Sequence, residues 1–409
     1  MNNVTCLGCG CACDDITVVV QGGTITEAGN ACALGRTWFG DGKVPAEVRS
    51  NGRAVALEQA IGDAAKLLGA ARRPLVYLAP DITSETQRAA VAIADRLGAV
   101  LDTPTSELAD GILATQRRGR AGATLGEIRQ RGDLVVFWGV DPALRYPRYT
   151  SRYAVEPVGV QAPAGRASRR VVAVDIGSCR GPENADERVS LAPTEELDAL
   201  GAMRAAVGGR TTGDATWSRV EDLARRMAQG RYAVIVHDAE PGDLAPDADR
   251  AEALVALAQA LNGPSRCALS SLRGGGNRSG ADLVLTWQTG FPMAIDLAPG
   301  YPCYRPHQGA AVWLARREID AALVVGSAAR LPARVAQGLA AVAAVVIGPH
   351  ASAAPFTPAI AVDTGVAGIH ESGTAFRMDD VPLPLRAALP ATASAMTVVR
   401  TLGERLAAR

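Results

Sequence analysis

Aromatic residues are scarce in this chain: five Trp, seven Tyr and five Phe among 409 residues, 4% in all. Alanine, valine and leucine must therefore fill most of any core, and a hydrophobic content of 48% is enough for two or three packed units. Net charge is lacking too, because 42 Lys+Arg balance 42 Asp+Glu. That balance removes the basic bias expected of a nucleic-acid binder. No apolar run approaches the roughly 18 residues of a membrane span. The opening MNNVTCLGC has neither a basic n-region nor an apolar h-region, so no secretory signal and a cytoplasmic location are expected. Histidine is limited to His237, His307, His350 and His370. There is no Ser-His-Asp order, no H-E-x-x-H and no suggestive carboxylate pair, which argues against an independent hydrolase site. Cysteine is missing altogether between Cys32 and Cys179.

The first 32 residues, by contrast, hold five of the eight cysteines. In CLGCGCACDDITVVVQGGTITEAGNAC, the residues Cys6, Cys9 and Cys13 form a C-x2-C-x3-C run, and Cys32 closes it from beyond a hairpin. Four thiolates so spaced select iron–sulfur or zinc over hard cations. In a reducing compartment this is a better reading than disulfides. Cys11 interrupts the run, either as a substitute for a neighbour or as a passive small side chain. Cys179, Cys267 and Cys303 lack partner spacing and read as inert thiols.

Residues 15–29 read as a hairpin turning at Gly22-Gly23, whose return strand carries Cys32 back to the first three cysteines. Helical periodicity at 57–71 precedes a short buried strand at 74–79. A helix through TQRAAVAIADRLG and the strand at 99–102 follow. Further apolar strands recur at 134–138, 171–174, 233–236, 322–325 and 342–347. Strand–helix alternation means parallel sheets with right-handed crossovers, and the strand count calls for two of them. The fold class expected is α/β: a small N-terminal β/cysteine-cluster domain at 1–52, a discontinuous doubly wound domain at 53–131 plus 281–409, and a second, inserted at 132–280. Residues 155–169 read as an irregular loop.

These motifs resemble the B subunit of formylmethanofuran dehydrogenase, within the molybdopterin-dependent oxidoreductases. The likeness runs from CxxCxxxCDDI and NAC-x-x-G (Asn30 to Gly35), through TLGEI-R-x-R-x-DLVVFWG-x-x-P (124–142) and PR-x-x-SRY (147–153), to TW-x-x-GFP (286–292) and E-S-G-TAFRM-x-x-VP (371–382). The resemblance implies a formate dehydrogenase/DMSO reductase-like framework without the C-terminal barrel, and a 4Fe–4S cluster on Cys6, Cys9, Cys13 and Cys32. It also implies a molybdenum or tungsten pterin held by a cysteine of a C-H-G segment. Here that segment reads DTPTSELADGILATQ, 102–116, and the ligand position falls on Glu107, Leu108 or Ala109. Neither an oxygen nor an alkyl side chain replaces a thiolate for this chemistry. At 174–179 the chain has VDIGSC where the family places VDPR, so an arginine for a pterin phosphate arm is also absent.

The pattern is most similar to the B subunit of the bacterial formyltransferase/hydrolase complex. The resemblance then implies a non-redox subunit in one-carbon metabolism, where formyl-tetrahydromethanopterin is converted to formate through a furan-type carrier. Its partners would be an amidohydrolase-like A subunit and the formyltransferase C and D subunits, with no catalytic residue and no pterin of its own. The four-cysteine cage would hold a 4Fe–4S cluster or zinc, or be an inherited motif left empty. The alternative is a redox-active formylmethanofuran dehydrogenase subunit carrying both pterin and cluster. Other features have bland accounts beside functional ones. Arg273-Gly-Gly-Gly-Asn277 is a phosphate cradle or a domain-crossing turn, and His350 a strand-end ligand contact or a loop residue. His370-Glu371 suggests acid/base work or the lining of an old cofactor cavity. Arg145, Arg148 and Arg152 suit an anion or an interface.

Overall fold

A computed structural model describes residues 1–240 and 244–408. The chain forms two compact units, Met1–Glu107 with Gly275–Arg409, and Leu108–Gly274. The crossings thus fall at 107/108 and 274/275, and the cysteine segment belongs to the first unit. Residues 108–131 group with the second unit because Ala114 packs against Ala251 and Val255.

In the first unit, five parallel strands lie in the order Val100–Asp102, Pro74–Leu78, Ala321–Val325, Ala343–Gly348 and Ile360–Asp363. Short antiparallel pairs, Ile295–Asp296 with Cys303–Tyr304 and Val48–Ser50 with Arg53–Ala54, extend the two edges. Side chains alternate between the two faces, and both faces are buried. Val76 and Leu78 join a core with Ala64, Leu68, Ala94, Leu285 and Leu402, whereas Leu75 and Tyr77 join one with Ala310, Trp313 and Leu339. Small and branched residues do most of this filling, as the composition requires. The predicted hairpin forms as Thr17–Gln21 and Thr24–Gly29, with a register shift between Val19 and Val20.

The second unit has five parallel strands in the order Cys267–Leu272, Ala233–Asp238, Leu134–Trp138, Arg170–Ile176 and Glu187–Leu191. Residues 155–169 are largely the expected irregular loop, with one bridge, Gly159 to Ala162, and a short 3-10 helix at Gly165–Ser168 that was not expected. Buried Arg169 pins it by donating to Gly132 O, Val155 O and Arg129 O at 3.0, 3.1 and 2.6 Å. Among the described residues no helix is long and apolar enough to cross a membrane.

Candidate functional site

The cysteine segment folds as a closed loop. An isolated bridge joins Val4 to Ile16, and Cys6 N–H donates to Cys13 O at 2.9 Å. Inside it, Ala12 N–H donates to Cys9 O at 3.2 Å, with Ala12 in the left-handed region at φ 38°. The hairpin returns to the loop, where the Asn30 amide donates to Asp15 O at 3.1 Å and to its carboxylate at 2.8 Å. Cys32 then caps the helix Ala33–Phe39, its sulfur accepting from Gly35 N–H at 3.4 Å. Gly8 N–H likewise donates to the Cys6 sulfur at 3.4 Å. Gly35 packs closely on the sulfurs: a Cβ there would stand 3.3 Å from the Cys6 sulfur, tighter than most Cβ contacts, and 3.8 Å from that of Cys32. The fold therefore brings Cys9, Cys13 and Cys32 into electrostatic reach of Cys6.

The glycine run that suggested a phosphate cradle is used here. A Cβ on Gly275 would meet the Cys9 N and Cα at 2.8 Å, and Gly276 N–H donates to Leu7 O at 2.8 Å. Gly275 and Gly276 thus let one backbone lie directly on another. On the other side Met378 N–H donates to Gly10 O at 3.0 Å. Neither clamp was named from sequence. The signals were present in Gly-Gly-Gly and in the family-like TAFRM segment, but their partners are over 260 residues away.

Burial pushes the Cys6 thiol far up, and the three neighbouring cysteines add to this against the lowering effect of Gly8 N–H. Cys11 is also raised, by its hydrogen bond to Cys9 and then by burial. A buried Cys6 thiol raised in this way keeps its proton without a cation, so a metal group must displace that proton on binding. Soft sulfur donors, amides aimed at two of them and a glycine where a methyl would intrude fit a thiolate-bound metal group. Among the described residues no three His, Cys, Asp or Glu side chains converge on one point as ligands of a single ion. A 4Fe–4S cubane takes one thiolate per iron and requires no such convergence.

The segment that opens at Asp102 is held together by oxygen atoms. Asp102 ends its strand fully buried, its carboxylate accepting from Ala294 N–H, Ala310 N–H and Ser106 Oγ at 2.9, 2.6 and 2.7 Å. Burial pushes this carboxyl up to about 6. Gly309 is wedged against it, since a Cβ there would meet Ser106 Oγ at 2.6 Å. Tyr77, opposite Asp102 in the sheet, is buried with no hydrogen-bond partner for its hydroxyl. Glu107 closes the first unit, while Leu108 and Ala109 open the second.

Doubly wound sheets bind ligands where strand order reverses. In the first unit this is the gap between Pro74–Leu78 and Ala321–Val325. There Arg330 donates to Asp81 Oδ1 at 2.9 Å, and Ser327 N–H donates to Pro80 O at 2.8 Å. A Cβ on Gly326 would stand 2.6 Å from Pro80 O, so the two loops are in backbone contact. In the second unit the gap lies between Leu134–Trp138 and Ala233–Asp238. Buried Glu196 accepts there from Trp138 Nε1 at 2.7 Å and from Arg250 Nε and Nη2, both at 2.6 Å. Asp238 pairs with Arg145 and accepts from Tyr146 OH at 3.3 Å. What space remains is lined by Trp138, His237, Glu240, Leu244, Arg250 and Leu254. His237 bonds Ser271 Oγ at 2.6 Å, and burial with the nearby Arg250 charge lowers it to about 4. Asp175 of VDIGSC accepts from Arg188 at 2.6 and 2.8 Å, Arg180 at 2.9 Å and Gly181 N–H at 2.9 Å. Each gap thus carries ion pairs of the chain's own, Arg330 with Asp81 in the first unit and Arg250 with Glu196 in the second.

His370 accepts from Val366 N–H at Nδ1, 3.2 Å, and so donates from Nε2 to Gly42 O, 2.8 Å. Glu371 caps the helix Ala395–Ala407 through Ala395 N–H. Both residues are engaged structurally, not poised for proton transfer. His350 adopts φ 57° before a short turn at 351–353. Arg145 and Arg152 lie over the rings of Tyr146 and Tyr153 at 5.8 and 5.2 Å.

Fold and site define a class: α/β chains with an N-terminal four-cysteine segment ahead of two parallel-sheet units. No protein-family model matches the chain. The B subunit of tungsten-containing formylmethanofuran dehydrogenase 2 from Methanococcus maripaludis is 30% identical over 95% of this chain and 94% of its own length. Its counterpart from Methanocaldococcus jannaschii is 30% identical over 94% and 93%. The chain belongs to the family of formylmethanofuran dehydrogenase B subunits. The B subunit of the formyltransferase/hydrolase complex of Methylorubrum extorquens is 29% identical over 68% of this chain and 73% of that one. A chain in the crystal structure of that complex with methylofuran superposes with a TM-score of 0.73 at 26% identity, covering 88% of this chain and 99% of the other.

Proposed function

We propose that this chain is the non-redox B subunit of a cytoplasmic formyltransferase/hydrolase complex, which releases formate from formyl-tetrahydromethanopterin through a furan-type carrier. The observation that carries the reading is the hydrogen-bonded Asp102–Ser106 corner and its continuation, which offer oxygen and no sulfur where the redox relatives need a metal-ligating cysteine. The match to the Methylorubrum complex supports it across nearly the whole of that chain. Carbon stays at the formate oxidation level throughout, so the reaction needs no electron transfer. The chain's own contribution would be a molybdopterin-oxidoreductase-like framework docked on the amidohydrolase-like A subunit, with the C and D subunits completing the complex.

Cys6, Cys9, Cys13 and Cys32 would hold a 4Fe–4S cluster, one thiolate per iron, and a bound cluster would supply one-electron transfer. Gly8 and Gly35 N–H groups donate to the Cys6 and Cys32 sulfurs and would orient them for it.

The second reading, a redox dehydrogenase subunit, is favoured by longer coverage, 95% against 68%, in the tungsten relatives. Native purification separates the two. The proposed function requires co-elution with A, C and D subunits and formate release without an electron acceptor. Formate-dependent viologen reduction by the purified complex would overturn it.

A further inference from the structure

The crossover between neighbouring parallel strands is usually a helix that covers one face of the sheet. In the first unit Ser84–Leu97 and Ala333–Leu339 serve two crossovers in this way. The link from Ala343–Gly348 to Ile360–Asp363 has only the short turn Ala351–Ala353. That edge of the sheet is left uncovered, and a groove of about 470 Å³ lies on it. This is the size of a small-molecule site. Ala361 forms its floor, and Arg49 stands directly opposite in the antiparallel pair, on the same face. Pro355, Phe356 and Pro358 wall it.

Both ends of the groove are fixed. Asn51 and Gly52, at φ 49° and 75°, make the tight turn between Val48–Ser50 and Arg53–Ala54, and Asn51 N–H donates to Ala359 O at 2.7 Å. At the other end buried Asp363 accepts from Glu47 N–H at 3.0 Å, and from Ser352 N–H and Oγ at 2.9 and 2.6 Å. The Glu47 carboxylate accepts from Arg49 Nε at 2.6 Å. That contact orients the guanidinium and leaves its two terminal nitrogens without a partner among the described residues. No other described residue of the lining carries a charge.

We propose that this groove binds a small organic monocarboxylate, its carboxylate held end-on by Arg49 Nη1 and Nη2 and its apolar body packed against Pro355, Phe356, Pro358 and Ala361. A single guanidinium fork matches one planar carboxylate in charge and in geometry. The prolines and the phenyl ring match an apolar body, and Thr357 adds a hydroxyl at the rim. The groove lies apart from the four cysteines and from the strand-order reversal between Pro74–Leu78 and Ala321–Val325. The inference therefore stands independently of the function proposed above.

The probe is 2-naphthoate, titrated into the full-length chain and followed by saturation-transfer difference NMR. It should bind with a dissociation constant of about 1 mM or tighter. Arg49→Gln should weaken it about fivefold, a modest factor because the guanidinium is half exposed. On wild type, 2-naphthylmethanol, the same body without the charge, should bind about fivefold more weakly than 2-naphthoate. Ala354→Trp puts an indole into the groove and should abolish binding. Arg53→Gln is the control, because Arg53 leaves the same hairpin on the opposite face, and it should change affinity by less than about twofold. Three results would each overturn the proposal: no saturation transfer at about 5 mM 2-naphthoate, equal affinity in wild type and Arg49→Gln, or displacement of 2-naphthoate by an equal concentration of inorganic phosphate. If thermal melts show that Ala354→Trp does not fold, Arg49→Gln and the neutral alcohol decide alone.

Discussion

Gly275→Ala tests the clamp that shapes the cysteine nest. The new methyl would stand 2.8 Å from the Cys9 N and Cα, and closer still to Leu7 O. All of these are backbone atoms, so no side chain can swing away. Relief requires the two segments to separate, which strains or breaks the Gly276 N–H to Leu7 O bond of 2.8 Å. Overpacking of this kind costs about 1–3 kcal/mol, and a lost backbone hydrogen bond about 1 kcal/mol more. The expected total is about 2–4 kcal/mol, a Tm drop of roughly 4–16 °C for a unit of this size. Differential scanning calorimetry of the full chain measures it. Gly62→Ala is the control: it lies in the helix Leu57–Ala70 of the same unit, with nothing within 4 Å of its added Cβ. That change should be neutral or stabilise by up to about 1 kcal/mol. A Gly275→Ala protein as stable as wild type would refute the clamp.

Glu196→Gln leaves the Arg250 guanidinium against a neutral amide and should cost about 3 kcal/mol, read by urea unfolding followed by circular dichroism. Tyr77→Phe removes a buried hydroxyl that lacks a partner and should be neutral or stabilise by about 1 kcal/mol; a clear loss of stability would mean the hydroxyl is engaged. His237 sets a pH dependence. Its folded value of about 4 lies below the ordinary 6.5, so the unfolded state binds the extra proton between the two. Its contribution is complete above pH 6.5 and is lost as pH falls towards 4, by about 3 kcal/mol. Denaturant melts of the Leu108–Gly274 unit in the full chain, at pH 7 and pH 4.5, should show this decline, and His237→Gln should reduce it. An unchanged slope would contradict the argument.

The central parallel strands were legible because each is a short apolar run buried on both faces, such as Leu134–Trp138 and Ala321–Val325. Glu187–Leu191 and Cys267–Leu272 escaped because Glu187, Arg188 and the paired Ser270-Ser271 interrupt that signal on outer strands. The hairpin's task of returning Cys32 followed from spacing alone. The docking of Gly275 on Cys9 did not, because a glycine run states what it permits and not what approaches it. Glu196 was invisible for a related reason. Its role depends on Trp138 and Arg250, brought from 58 and 54 residues away by the sheet.

Tungsten and molybdenum content of the complex purified from its native cell bears most directly on the central claim. The account predicts neither metal in stoichiometric amount, with any iron confined to the cysteine nest. Either heavy metal at near one atom per chain would contradict it.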